Sequence, residues 1–239
     1  MMARLLVINP NSSVAVTAAI DASIATLRLP GGPMIDTHTL TEGPPSVTTQ
    51  RDAEGVVMPL VRLVEHEPAD AFVLACFSDP GLHAVREAAG GRPVMGIAEW
   101  GILRAITLGE RFGIIALSRH SIRRQRRLVR AMGLDCRYAA SRAVEATATE
   151  TTGDAMHARL AAAGRTLIEQ DDADVLVLGC AGMAMHRASL AKALGVPVVE
   201  PVQQATAAAL GALLLAGSGG GNGIDKNSSI LPYKKEQAG

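Results

Sequence analysis

Cysteine, aromatic residues and net charge are all scarce in this chain of 239 residues. Three cysteines are an odd number and too few for a disulfide scaffold. Aromatics make up 3% of the chain, which removes base-stacking platforms and aromatic cages from consideration. Lys plus Arg is 23 and Asp plus Glu is 23, so there is no surplus of cations to neutralise a phosphate backbone, and no nucleic-acid partner is expected. The longest nearly apolar stretch, 205–217, has about half the length a bilayer requires, so no membrane span is expected. The start, Met1-Met2-Ala3-Arg4 running straight into a short apolar strand, reads as lacking an export signal, and a cytoplasmic setting is expected. What is plentiful is core material: 48% hydrophobic against 19% charged residues excludes a disordered chain.

Short apolar runs alternate with amphipathic stretches through 1–217. Leu5–Asn9, Met34–His38, Ala71–Ala75, Val94–Ile97, Phe112–Leu117, Leu134–Tyr138, Val175–Gly179 and Val196–Val199 read as parallel strands buried on both faces. Helical patterns fall between them at 14–28, 51–66, 82–89, 98–108, 121–132, 153–170, 184–194 and 202–216. Ala69-Asp70-Ala71-Phe72-Val73-Leu74-Ala75-Cys76 aligns with Ala173-Asp174-Val175-Leu176-Val177-Leu178-Gly179-Cys180, and the same offset sets Pro93-Val94 on Pro197-Val198. This internal repeat favours an α/β fold of two pseudo-symmetric lobes, each with about four parallel strands, over a closed barrel. The lobes are expected at 1–98, joined by the helix 202–216, and at 99–201, with the site in the cleft between them. Up to Gly217 there are 19 Arg and one Lys, whereas 218–239 has three Lys, no Arg and a Ser-Gly-Gly-Gly-Asn-Gly start, and reads as a flexible tail.

Cys76 and Cys180 each follow a strand and open a turn into a helix, where helix N-terminal N–H groups favour a thiolate. Buried cysteines are often inert, but matched placement in a repeat favours a reactive pair facing one cleft. One thiolate then removes a proton from a carbon acid while the opposite thiol returns one to the other face. Cys136 falls inside a predicted strand and is assigned to packing. Neither CxxC nor HExxH is present to suggest a metal site, and GxSxG, Walker A and GxGxxG are absent, so no metal and no cofactor is expected.

Asn9-Pro10-Asn11-Ser12-Ser13 caps a helix and can also present polar groups to a ligand; Ser118 is the counterpart in the second lobe. The segment 119–130 carries six Arg, read as a solvated face, with Arg119 the obvious cation beside the cleft. Phe77, Met183, Ala181 and Val47 are the expected apolar walls, and Glu99 and Glu200 stand at equivalent strand ends where they can orient the site.

These residues resemble the aspartate/glutamate/hydantoin racemase superfamily, and within it the hydantoin and allantoin racemases. The landmarks are Ile8-Asn9-Pro10-Asn11-Ser12-Ser13, Gly43-Pro44-Pro45-Ser46, Ala75-Cys76-Phe77-Ser78-Asp79-Pro80-Gly81, Gly96-Ile97-Ala98-Glu99 and Leu178-Gly179-Cys180-Ala181-Gly182-Met183. The resemblance implies cofactor-independent proton transfer at C5 of a 5-substituted hydantoin, with Cys76 and Cys180 as the acid/base pair. It also implies that Asn11, Ser46, Ser118 and the turns after each cysteine, with Phe77, Ser78, Ala181 and Gly182, hold the ring. A homo-oligomer is expected. Two departures stand out: Val47-Thr48-Thr49 where relatives commonly have a Glu, and Ser118-Arg119 where relatives often have Thr. Relatives that decarboxylate arylmalonates keep one of the two cysteines, so the pair favours racemisation. An allantoin racemase, a maleate-type isomerase and a non-catalytic small-molecule binding protein are the alternatives.

Overall fold

A computed structural model of the protein describes residues 2–151 and 154–218; the expected tail, from 219 onward, lies outside the described residues. Four strands, β1 (Arg4–Asn9), β2 (Met34–Thr39), β3 (Ala71–Leu74) and β4 (Val94–Gly96), form one parallel sheet in the order β2-β1-β3-β4. The strands β5 (Phe112–Ala116), β6 (Tyr138–Ala143), β7 (Val175–Gly179) and β8 (Val198–Val199) repeat that order as β6-β5-β7-β8. The helices are α1 (Val14–Ser23), α2 (Gln50–Gly55), α3 (Val57–His66), α4 (Leu82–Ala88), α5 (Ile97–Ala105), α6 (Arg119–Ala131), α7 (Asp154–Glu169), α8 (Arg187–Leu194) and α9 (Pro201–Ser218). The chain is thus an α/β fold of two repeated four-stranded sheets flanked by helices.

The two-residue period of a strand sorts the core. In the first sheet Leu6, Ile8, Phe72 and Leu74 point outward onto Leu60 and Val64 of α3 and Leu82 and Val85 of α4. Leu5, Val7, Ala71 and Val73 point the other way, into a core that continues to Phe112, Ile114 and Val177 of the second sheet. Val16 and Ile20 of α1, Ile97 and Ile102 of α5, and Val202 and Ala205 of α9 fill that shared core. Burying each such Leu, Ile or Phe is worth about 1.5–3 kcal/mol. α5 touches β4 on one side and β7 and β8 on the other, so the expected division at residue 98 falls within a helix common to both sheets. α9, although last in sequence, packs on β3, β4 and α5. Among the described residues no helix is long and apolar enough to cross a membrane.

Four local expectations are corrected. The strand expected at 134–138 is instead Tyr138–Ala143; Asp135–Arg137 forms a 3-10 turn, and the strand itself, Tyr-Ala-Ala-Ser-Arg-Ala, is a half-buried edge without an apolar run. Cys136 consequently lies exposed on that turn and is not a packing residue. The single helix expected over 51–66 is broken at Val56, because Pro59 has no N–H to reach the Gly55 carbonyl four residues back. The helix expected over 184–194 starts as a 3-10 segment, Ala181–His186, and becomes α-helical at Arg187.

The ends of the strands are fixed by backbone proximity. Gly96 closes β4 against the carboxylate of Asp79, and a Cβ at Gly96 would stand 2.4 Å from that carboxylate. Gly96→Ala is therefore expected to destabilise the protein by about 1–3 kcal/mol. Urea unfolding followed by circular dichroism checks this; an unchanged midpoint would contradict the contact.

Candidate active site

β3 and β7, neighbours of β1 and β5 at the centres of their sheets, deliver the two cysteines. Ala75 still donates its N–H to Ile8 in the strand ladder at 2.8 Å, and Cys76 is the first residue beyond it. The Cys76 carbonyl then accepts the N–H groups of Ser78 (2.8 Å) and Asp79 (3.0 Å), which closes a tight turn. Asp79 sits in the left-handed region at φ 42°, a conformation that costs a side-chain-bearing residue on the order of 1 kcal/mol. Its carboxylate offsets this by accepting the first-turn N–H groups of α5, from Ala98 at 2.9 Å and Glu99 at 2.7 Å, where the N-cap Gly96 has no side chain to offer. Cys180 follows β7 directly and precedes the 3-10 segment, with its carbonyl accepting from Met183 at 3.2 Å.

Both thiols line one cavity of about 40 Å³, which is room for a water molecule and less than a substituted five-membered ring needs. Asn11, Ser46, Phe77, Ser78 and Ala181 line it with them, together with Val16, Val47, Leu117, Ser121, Arg124 and Ala148. Asn11 is buried in a network that shapes its loop. Its Oδ1 accepts from Asn9 Nδ2 at 3.0 Å and from the Ser13 N–H at 2.9 Å, and its backbone N–H donates to Asn9 Oδ1 at 3.3 Å, while its side-chain Nδ2 has no protein partner among the described residues. Thr48 donates its hydroxyl to Ser46 at 3.3 Å.

Several expected site residues stand elsewhere. Ser118 caps α6 by accepting the Ser121 N–H, and it is Ser121, one turn further, that reaches the cavity. Gly182 does not line the cavity, but its N–H bonds the Cys180 sulfur. Met183 is fully buried in the core behind the site and is not a wall of it. Glu99 ion-pairs with Arg86 at 2.5 Å. Glu200 is buried at the start of α9, where its carboxylate accepts from the Val202 and Gln203 N–H groups at 3.1 and 2.7 Å.

The cation beside the cleft is not Arg119, whose side chain is 85% exposed and paired with Glu145 at 2.8 Å. It is Arg124. The solvated reading of the arginine-rich helix holds for the other five, all exposed, and fails for this one, which is half-buried against the cavity. A signal was present in the sequence: Arg124 is three residues after Ser121 and four before the half-buried Leu128, which puts all three on one helical face.

The electrostatic surroundings of the two sulfurs differ. Burial pushes the Cys76 thiol up, Asp79 adds to the rise, and the Ser78 hydroxyl at 3.3 Å, the Arg124 charge and the Ser78 N–H pull it back. Burial pushes Cys180 up to about 12; the Gly182 N–H opposes the rise while Cys76 and Glu200 reinforce it. Cys180 is therefore a neutral thiol at neutral pH. Among the described residues no group of three or more His, Cys, Asp or Glu is placed to hold a metal ion.

Residues 5–209 match the profile of the family described as Asp/Glu/Hydantoin racemase. The chain belongs to that family. It is an isomerase of the racemase class, similar to the hydantoin racemase of Paenarthrobacter aurescens, with 35% identity over 84% of this chain and 87% of that one. Similarity to the hydantoin racemase of Rhizobium meliloti is of the same order, 35% over 89% of this chain and 88% of the relative. Among solved structures, the allantoin racemase from Klebsiella pneumoniae superposes with a TM-score of 0.84 at 29% identity, covering 99% of this chain and 96% of that one. The glutamate racemase of Francisella tularensis, at 17% identity and a TM-score of 0.67, shares the fold.

In this racemase-family site the cap on α5 also titrates. Burial pushes the Asp79 carboxyl up to about 7, against the pull of its two N–H bonds, whereas an unfolded aspartate titrates near about 3.9. The folded chain thus holds this proton to higher pH than the unfolded one, so the stability it contributes is complete below about pH 4 and is lost as pH rises to about 7. The stability of the wild type relative to Asp79→Asn is expected to fall across that window. Paired urea titrations at a series of pH values check it, and a difference that is flat or grows with pH would contradict the assignment.

Proposed function

We propose that this protein racemises 5-monosubstituted hydantoins by transferring a proton at C5 between Cys76 and Cys180, one thiol on each face of the ring. The observation that carries the reading is that the two sulfurs, each just beyond the end of an equivalent strand, line the same cavity. The Cys76 thiolate breaks the C5–H bond and becomes a thiol, and the electron pair left on carbon delocalises onto the neighbouring ring carbonyl. The unpartnered Asn11 amide and the hydroxyls of Ser46, Ser78 and Ser121 are donors within the cavity for that developing oxyanion. The Cys180 thiol then delivers its proton to the opposite face and is left as the thiolate. No net redox change occurs, and the reverse reaction uses the complementary protonation state. A ring carbonyl that shares the charge makes C5–H a stronger acid than the α-proton of a free amino acid, within reach of a thiolate. Admission of a ring requires the walls of the present cavity to move apart.

Cys76→Ser and Cys180→Ser are each expected to reduce racemisation by at least about 10³-fold with an unchanged circular dichroism spectrum, because a hydroxyl is too weak an acid to replace a thiol in proton transfer. A single variant still exchanges the C5 proton of one enantiomer through the surviving thiol. Polarimetry on one enantiomer of benzylhydantoin reads this directly, and near-wild-type racemisation by either variant would overturn the two-base assignment.

The walls Val16, Val47, Phe77, Leu117 and Ala181 favour aliphatic and aromatic C5 groups. Allantoin is the second reading, favoured by a guanidinium in the cavity that suits a ureido oxygen and by the fold match to an allantoin racemase. The expected order of kcat/KM is benzylhydantoin and isobutylhydantoin first, then allantoin, with free glutamate negligible. Allantoin ranking first would replace the substituent preference, and glutamate ranking first would overturn the hydantoin class.

A further inference from the structure

Arg124 is a half-buried cation that forms no ion pair with a carboxylate among the described residues. Two other arginines of α6 have one, Arg119 with Glu145 at 2.8 Å and Arg130 with Asp135 at 3.4 Å, although both are exposed and need it less. Arg124 donates from Nη1 to the Thr48 carbonyl at 2.7 Å, and its Nε is buried without a hydrogen-bond partner among the described residues. An arginine held this way carries a desolvation cost that only a nearby negative charge offsets. Asp52 attracts it from α2 and Arg127 repels it along α6, and the titratable group it meets at the cavity is Cys76.

We propose that Arg124, which lines the cavity with both sulfurs, is the positioning residue that lowers the cost of ionising Cys76, and so makes Cys76 the first base and Cys180 the first acid. The inference rests on the two-thiol reading of the cavity and adds a division of labour within it. The groups facing Cys76 are few: Ser78 and Asp79 from its own turn, Cys180 across the cavity, and Arg124 from α6. Asp79 disfavours negative charge on it, while the Ser78 hydroxyl and N–H, together with Arg124, favour it. Arg124 is the one positive charge in that set. At Cys180 the titratable neighbours that bear on the thiol are Cys76 and Glu200, both of which favour its protonated form. The bond from Arg124 to Thr48 anchors the guanidinium to the segment between β2 and α2, so that the charge is fixed where the thiolate forms and is not free to swing into solvent.

The test is the pH dependence of alkylation of each cysteine by iodoacetamide in the full chain, resolved by peptide mass spectrometry, with exposed Cys136 as the internal reference. In the wild type the Cys76 midpoint is expected at least about one pH unit below that of Cys180. Arg124→Gln is expected to raise the Cys76 midpoint by about one unit, close to tenfold less thiolate at neutral pH, and to leave Cys136 in place. Arg124→Lys, which keeps the charge, is expected to restore most of the shift, and the acidic limb of the racemisation profile should move with the Cys76 midpoint. Because alkylation needs no substrate, this readout stands whether or not hydantoins prove to be turned over. A Cys180 midpoint below that of Cys76 in the wild type overturns the proposal, as does an unmoved Cys76 midpoint in Arg124→Gln. Should the Gln substitution unfold the chain, Arg124→Lys decides: a Cys76 midpoint within about half a unit of wild type supports the role, and one raised by about a full unit overturns it.

Discussion

Sulfur that is to act as a base must be charged, and charge is what a dry cleft between two sheets disfavours. Burial pushes both thiols of this protein upward, and every polar group around them bears on that one cost. The turn hydroxyl of Ser78 and the guanidinium of Arg124 reduce it at Cys76; only a single backbone N–H reduces it at Cys180, where Glu200 works the other way. The proposed transfer between two thiols needs the sulfurs in unlike protonation states at the start of each turnover. Under that proposal the difference comes from neighbours that the repeat does not share, because the strands that carry the two cysteines are themselves equivalent.

The repeat also solves one structural problem twice by different means. The helices after β4 and β8 both start in the core beside a thiol, and the first N–H groups of each need an acceptor. In the first half Gly96 offers none, so Asp79 reaches over from the Cys76 turn, accepting a left-handed backbone to do so. In the second half Glu200 caps α9 from the helix's own start. Each solution places a buried carboxyl near a cysteine, and burial pushes both carboxyls up to about 7. The Asp79 cap ties the position of Cys76 to α5, the helix that both sheets share, so the geometry of the thiol pair and the packing of the lobes are coupled.

Much of this was legible in the residues. Continuous apolar runs such as Ala71–Leu74 and Val175–Gly179 can only be strands buried on both faces, and the repeat of Ala-Asp before and Cys after them points to one cleft. What was not legible had no apolar signature. β6 is an edge strand of Ala, Ser and Arg, so the nearby Leu134 drew the expected strand several residues too early. Arg124 was hidden among five solvated arginines, since composition weighs a charge run as a surface and only its three- and four-residue spacing to Ser121 and Leu128 sets it apart. Ser118 is singled out by the repeat as the counterpart of the Asn9–Ser13 loop, but its hydroxyl caps its own helix, and Ser121, its neighbour in the first turn, is the one that faces the cavity.

The central claim is that one sulfur removes the C5 proton and the other returns a different one. It is tested most directly by following where deuterium enters during the first few per cent of racemisation of a single hydantoin enantiomer in D₂O. Two bases on opposite faces predict that the newly formed enantiomer carries deuterium from the first turnover while the recovered starting enantiomer remains protiated. Protium retained in the product, or deuterium entering the starting enantiomer as fast as the product forms, would contradict the account.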